Sequence, residues 1–421
     1  MLAHRGGAAE FLPCCAAPPR RNLPLAVKIL ISGAGIAGPT LAYWLLRYGF
    51  EPTLIETAPQ PRTGGYIIDF WGTGYDVAER MGLLPELLRA GYKPTEVRVV
   101  GADGHRVSGF ETKSLARVTA DRLVSLPRGD LARAIHAAIE GRVETWFGNT
   151  ITAIEQTASG VRASFEHGPA REFDLAVGAD GLHSRVRELA FGAESRYEKY
   201  LGYKAAAFEA RGYRPRDESV YVMYTRVGQQ VARFAMRGDR TLFFFIYADP
   251  DSALPADLGQ QKIELRAHFE RSGWECPQIL EALDRAGELY FDRMSQIRMD
   301  ARGGLWTRGR VTLLGDAAFC VSLLAGQGSA LAMAAAYVLA GELHRAGGDW
   351  NLAFARYQER FGAFVLEKQE AALRMAGMFV PKSRFSLILR NQIFRLMAIP
   401  WVADMAAGRD LVDRFALPEY G

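Results

Sequence analysis

The feature that most constrains this chain is a glycine turn set between an apolar strand and a helix. The run AVKILIS (26–32) is short, apolar and rich in β-branched residues, and it reads as a buried strand. GAGIAG follows, and apolar residues then recur at helical spacing from Ile36 to Leu46 until Gly49 ends the helix. PTLIE (52–56) is a second strand. Strand, turn, helix and strand in about 30 residues make a βαβ unit with a right-handed crossover. The fold class is therefore α/β, with a Rossmann-like first domain.

Each residue of the turn has a physical task. Gly33 allows the tight bend, Gly35 lets a pyrophosphate approach the backbone, and Gly38 lets helix and strand pack closely. Ala34, Ile36 and Ala37 complete the loop, whose N–H groups and helix dipole face the phosphates. A lone GxGxxG is weak, but Glu56 closes the second strand about 20 residues on, where an acidic side chain takes a ribose hydroxyl. An unphosphorylated ribose, as in FAD or NAD, is expected.

Composition removes other classes. The chain has 421 residues, 49% of them hydrophobic and 23% charged, which is ordinary for a soluble globular protein of two to three domains. Lys and Arg total 51 against 47 Asp and Glu, a net +4 with no long basic run, so no nucleic-acid partner is expected. Cys14, Cys15, Cys276 and Cys320 have no CxxC spacing, and no His/Cys cluster has metal-ligand spacing. Free thiols in a reducing cytoplasm and no metal follow. No apolar run reaches the ~20 residues of a transmembrane helix. Residues 1–25 lack a secretory pattern and read as a disordered tail.

Further along, EVRVVGADGHRVSGFE (96–111) reads as a hairpin turning at Asp103-Gly104. Residues 143–180 read as successive strands, and 200–250 as a strand-rich stretch. Two apolar strands end in turns bearing an aspartate, Asp180 in GADGLHSRVR and Asp316 in GDAA. An aspartate there can accept a ligand hydroxyl; it can equally cap a helix or form the turn.

GAGIAG with Glu56, GADGLHSRVR, and GDAA with GQG, in that order over residues 27–345, resemble the para-hydroxybenzoate hydroxylase family, the class A FAD-dependent monooxygenases. GGYIIDFWGTGYDVAERMGL (64–83) is similar to a subgroup acting on polyketide and tetracycline-like aromatics. The resemblance implies bound FAD, with NADPH or NADH as co-substrate and O2 as oxidant. One oxygen atom would pass to an aromatic or polyketide-like molecule by way of a C4a-hydroperoxyflavin, hydroxylation being the expected outcome. It places Arg128 near the phosphates and ribityl chain, Asp316 at the ribityl or pyrophosphate region, and Gly326, Gln327 and Gly328 facing the flavin N1–C2=O edge, with Asp180 and Gly181 in the motif tied to both FAD and the nicotinamide. A helix N-terminus at the GQG loop would stabilise the anionic reduced flavin.

This chain departs from the family in three places. Thr57 follows Glu56 where relatives often carry Arg, and Arg62 is the candidate substitute. The loop after GDAA runs Phe319 to Leu324 without proline, which predicts less built-in stiffness beside the flavin. The asparagine often found after GQG is replaced by Ser329-Ala330. The altered loop keeps a non-oxygenating FAD-scaffold cyclase as an alternative. A flavin-dependent halogenase is a second, though its WxWxIP segment is missing.

The expected organisation is interleaved. FAD-binding segments cover 26–92, 118–195 and 291–348; substrate-domain segments cover 93–117 and 196–290; helices fill 349–421. Alternation puts Phe243, Phe245 and Tyr247 on one sheet face. Met223, Phe234, Phe243 and Phe245 are candidate pocket residues, joined by Leu323 and Leu324 ahead of the GQG loop. The oligomeric state expected is monomer or homodimer.

Overall fold

A computed structural model describes residues 27–61, 64–299, 306–397, 399, 402, 413 and 415–421. The expected tail at 1–25 and Arg62 lie outside the described residues.

Five parallel strands organise the first layer. Lys28–Ser32 is central; Glu51–Glu56 and then Glu144–Phe147 lie on one side, Leu175–Gly178 and then Val311–Leu313 on the other, with Thr307–Arg308 antiparallel at the edge. The central strands are buried along nearly their whole length, as a sheet covered on both faces requires. Helix Ala37–Arg47 packs on helix Gly328–Arg345, and the latter on helix Trp350–Phe379. Gly328–Arg345 is alanine-rich and buried almost all round, which is why it carries little amphipathic pattern.

The second layer is a seven-stranded sheet in the order Tyr290–Ile297, Glu198–Arg211, Arg240–Ala248, Gln229–Met236, Val220–Arg226, Glu96–Val100, Arg106–Glu111. Neighbours are antiparallel except Val220–Arg226 with Glu96–Val100. The hairpin expected at 96–111 is present, with Gly104 at φ +81° in its turn. By hydrogen bonding this sheet extends past residue 290, since Tyr290–Ile297 pairs with Glu198–Arg211.

One face of the large sheet packs under helices Leu258–Phe269 and Cys276–Arg285 through Phe208, Phe243, Phe245, Leu265 and Ile279. The opposite face, called the inner face below, meets the first layer and helix Arg384–Leu396. The two-stranded sheet Ile67–Trp71 with Leu123–Pro127 joins the layers. Its alternation explains how: Ile68 and Phe70 enter the first core, while Ile67 packs on the large sheet. Among the described residues no helix is long and apolar enough to cross a membrane.

Candidate flavin site and the adjoining cleft

The strand order of the first layer reverses at Lys28–Ser32, and the carboxyl ends beside such a reversal form a crevice. All three motifs stand there. GAGIAG follows Ser32, Asp180-Gly181 follows Leu175–Gly178, and Asp316 follows Val311–Leu313. Motifs far apart in sequence become neighbours because their strands are hydrogen-bonded side by side.

The three turn glycines divide their tasks as expected. Gly33 has φ +104°, and a Cβ there would collide with the Ala179 carbonyl. A Cβ on Gly38 would collide with the Gly33 carbonyl, so this glycine sets helix–strand contact. Gly35 alone has room: its nearest neighbour would be the Arg128 guanidinium, 3.5 Å from an added Cβ. The structure thus brings Arg128, at the start of helix Arg128–Ala137, to the open middle of the turn. Glu56 reaches back over the loop, with Oε2 accepting the Ala34 N–H at 2.9 Å and Oε1 the Ala58 N–H at 2.9 Å. Ile36 caps helix Ala37–Arg47.

Asp180 shapes its own turn. Its Oδ1 accepts from Ser184 Oγ at 2.5 Å and its Oδ2 from the Val186 N–H at 3.0 Å; Ser184 in turn caps helix Arg185–Phe191. Gly181, at φ +82°, has nothing near it. His183 in the same loop bonds Glu194 Oε1 at 2.9 Å and Asp292 Oδ1 at 3.2 Å. Asp292 belongs to the large sheet, so this histidine clamps the loop to the second layer. Those two carboxylates raise its pKa to about 9, Asp292 contributing most.

Asp316 opens the short helix Asp316–Phe319. Burial pushes its carboxyl up, and the Arg128 guanidinium opposes that shift. The loop that follows lacks proline but is pinned by buried donors. Gln296 Nε2 reaches the Val321 carbonyl at 3.2 Å, Gln369 Nε2 reaches the Cys320 carbonyl at 3.2 Å, and the Ile297 N–H meets Cys320 O at 3.0 Å. Cys320 is packed inside and its Sγ donates to the Ser295 carbonyl at 3.5 Å. Hydrogen bonding therefore supplies the stiffness that the sequence withholds. Ser322 takes a positive φ of 84°, Gly326 is left-handed at 64°, and Gly328 begins the long helix. Gln327 is buried with Nε2 unpartnered among the described residues, as is Trp71 Nε1. The Trp71 ring lies 3.8 Å from a Cβ built on Gly326. Two buried donors without acceptors beside an open glycine turn fit a planar, carbonyl-edged, diphosphate-bearing group such as FAD.

Next to this loop the inner face of the large sheet forms a floor. Strand register lines up Tyr290, Ala207, Phe244, Ala232 and Met223 across five strands, a row of roughly 19 Å at about 4.8 Å per strand gap. Small residues alternate with large ones. Tyr290, Phe244, Ala232 and Met223 stay partly accessible in a sheet otherwise buried, as residues lining a cleft do. Tyr66 stacks at a tilt over the floor, 5.1 Å from Tyr290 and 6.2 Å from Phe244 between ring centres. Burial pushes its phenol up to about 12. Leu323 and Leu324 pack at the edge with Ile246, Met294 and Phe244.

A family description reading "FAD binding domain" matches residues 26–349. The chain belongs to the class A FAD-dependent monooxygenases. A flavin-dependent monooxygenase of Legionella longbeachae is 32% identical over 371 residues, 86% of this chain and 91% of that protein. An uncharacterised protein of Mycobacterium tuberculosis is 37% identical over 375 residues, 86% of this chain and 98% of the relative. The crystal structure of tetracycline destructase Tet(51) superposes with a TM-score of 0.78 at 30% identity, covering 94% of this chain and all (100%) of that one.

Four of the six pocket candidates fall on the inner side of this monooxygenase. Met223 lies in the floor row, Phe234 beside it, and Leu323 and Leu324 at the edge. Phe243 and Phe245 do not: they are fully buried under the outer helices, with Phe269 and Ile279. The alternation was right and the choice of face was wrong, because the helices that cover one face are not legible from the strand. Phe244 is the floor residue instead. Tyr66, Trp71 and Tyr290 also border this region and were not among the candidates, although two of them sit in the segment 64–83 that carried the subgroup resemblance. A cavity of about 710 Å³ opens elsewhere, under helix Trp350–Phe379, lined by Trp306, Phe319, Phe354 and Gln369. Its wall includes Met299 and Trp306, between which residues 300–305 lie outside the described residues, and Glu359 is the one charged side chain among its described lining.

Proposed function

We propose that this chain is an NAD(P)H-dependent monooxygenase that inserts one O2-derived oxygen atom into an aromatic or polyketide-like small molecule, with hydroxylation as the outcome. The observation that carries the reading is the accessible apolar row, Tyr290 to Met223, beside the loop that ends in Gly326-Gln327-Gly328. A flat ring system fits a floor of this shape, and it would lie beside a flavin held at that loop. The comparison with a tetracycline destructase supports the same substrate class.

Bound FAD supplies electron storage from the nicotinamide and the activation of O2. The chain supplies the rest. Gly35 would leave room for the pyrophosphate, on a turn whose shape Gly33 and Gly38 hold, and Arg128 would meet its charge. Glu56 would orient the adenosine ribose, and Asp316 the ribityl chain. Gln327 and the N–H groups opening helix Gly328–Arg345 would hold a bound flavin and offer it a positive dipole, which favours negative charge on the ring. Asp180 holds the turn at Gly181, which stands open where a nicotinamide would have to approach. Leu323, Leu324, Phe244 and Met223 keep water from the reacting carbon. Tyr66, with its raised pKa, stays a neutral hydroxyl that can orient substrate.

The test is NADPH and NADH consumption by the flavin-loaded protein, with and without polycyclic phenols, and products read by mass. Substrate-stimulated oxidation with a product heavier by one oxygen is expected. Photoreduced protein that forms no oxygen adduct of the flavin would overturn the reading.

A further inference from the structure

Asp69 is the one carboxylate that projects from strand Ile67–Trp71 toward the cleft, and the reactions above leave it without a task. Its surroundings are unusual for an acid. Its Oδ1 accepts two hydrogen bonds, one from Ser125 Oγ and one from Tyr221 Oη at 3.2 Å. Among the described residues no donor reaches Oδ2, and no Lys or Arg pairs with this carboxylate. The side chain is nevertheless accessible. Protein surrounds it closely enough that burial pushes its carboxyl up, against the two hydrogen bonds that favour its charge. Accessible from within and desolvated all round describes a group on the wall of a cavity, not one on an outer surface.

Its position fits the floor. Tyr221 stands two residues from Met223 on the same face of the same strand, and pairs with Phe234. Tyr92 closes the corner, edge-on to Phe234 at 5.4 Å. Met223, Phe234, Tyr92 and Tyr221 make the rest of this corner apolar or aromatic apart from the Ser125 hydroxyl, and Arg237, stacked on Tyr92, is spent on the carbonyls of Ala90 and Gly91, so an acceptor left open there selects strongly for a donor.

Resting on the reading of the cleft as an aromatic substrate site, we propose that Asp69 is a specificity-determining residue: its free Oδ2 accepts a hydrogen bond from a hydroxyl of a polycyclic phenol or enol lying on the Phe244–Met223 floor. Ser125 and Tyr221 position the carboxylate so that Oδ2 faces the substrate. The preferred substrate class is then a fused-ring molecule with a free hydroxyl at one end, and the corresponding methyl ether is rejected.

Asp69→Asn tests this directly. The amide oxygen can keep the bonds from Ser125 and Tyr221, while Nδ2 puts a donor where Oδ2 offered an acceptor. Removing a charge that burial disfavours leaves no reason for the fold to suffer; Asp69→Ala is the second variant should the amide fail to retain flavin. Hydroxyanthraquinones and naphthols, each paired with its methyl ether, are titrated into flavin-loaded protein, and binding is read from the perturbed flavin absorbance without turnover. The wild type is expected to bind each phenol about tenfold or more tightly than its ether, the scale of a hydrogen bond to a charged group. In Asp69→Asn that ratio falls to about one or inverts, and in Asp69→Ala it falls without inverting. An unchanged ratio in a variant that still binds phenols overturns the role of Asp69 and leaves the aromatic cleft standing. Absence of binding by every phenol and ether to the wild type overturns the aromatic reading and this proposal with it.

Discussion

At the scale of single residues, the glycine turn shows how similar letters carry different constraints. Gly33 is held by backbone geometry and by the Ala179 carbonyl, and Gly38 by the Gly33 carbonyl, whereas Gly35 faces open space near Arg128. The same substitution should therefore act on different properties. Gly33→Ala is expected to lower the melting temperature even of flavin-free protein, since it combines a positive φ with a steric clash. Gly35→Ala is expected to leave flavin-free melting nearly unchanged and to weaken FAD binding about tenfold or more, roughly 1.4 kcal/mol. Equal loss of stability in the two variants would contradict this division. The spacing of the motif had already assigned these tasks, because each follows from the absence of a Cβ. Asp180 and Asp316 were less legible. Both stand at strand ends beside the crevice, yet Asp180 spends its oxygens on Ser184 and Val186 while Asp316 answers to Arg128, and no local pattern separates the two.

At the scale of elements, the strand Arg240–Ala248 is the instructive case. Its alternation is plain in RTLFFFIYA, but three consecutive phenylalanines offer a large side chain to either face. The residues that decide between faces, Leu265, Phe269 and Ile279, arrive on helices later in the chain. Truncation separates the faces. Phe243→Ala removes a fully buried ring and is expected to cost about 3–5 kcal/mol. Phe244→Ala widens the cleft and is expected to cost clearly less while altering which ring systems bind. Chemical denaturation with flavin-monitored ligand titration measures both, and a Phe244→Ala cost as large as that of Phe243→Ala would argue against an open floor. The loop from Phe319 to Leu324 makes a related point. Its lack of proline was visible in the sequence, but its stiffness comes from Gln296 and Gln369, on a strand and a helix outside the motif.

At the scale of the whole molecule, the two layers are tied together near the flavin site by charge. His183 reaches Glu194 and Asp292, and Glu194 also holds Arg187 at 2.7 Å and Arg293 at 2.8 Å. The folded pKa of His183, about 9, lies above the ordinary value of 6.5. A group raised on folding stabilises fully below its unfolded value and loses that contribution as pH rises through its folded one. The clamp should therefore hold below about pH 6.5 and release toward pH 9. His183→Gln is expected to flatten the fall in melting temperature over that window, with little change in the protein's far-ultraviolet circular dichroism. A slope identical to wild type would show that other groups govern it. The effect is modest, because the imidazole is 45% exposed and solvent screens the pair.

The way the large sheet is stitched has a consequence in time as well as in space. Its strands come from 96–111, 198–248 and 290–297, with first-layer elements threaded between the first two groups and the outer-face helices Leu258–Phe269 and Cys276–Arg285 between the last two. The floor row closes only when Tyr290 returns past those two helices to pair with Ala207, and the sheet beyond it only when 96–111 joins Val220–Arg226. Distant segments must meet first, and closing such long loops costs entropy before any contact repays it. Until Tyr290–Ile297 docks, Glu198–Arg211 presents an unpaired edge next to Phe243 and Phe245, the kind of surface on which partly folded chains associate. The yield of folded protein is therefore expected to depend on how fast that strand docks relative to association at the open edge, a kinetic property that leaves no trace in the finished cleft.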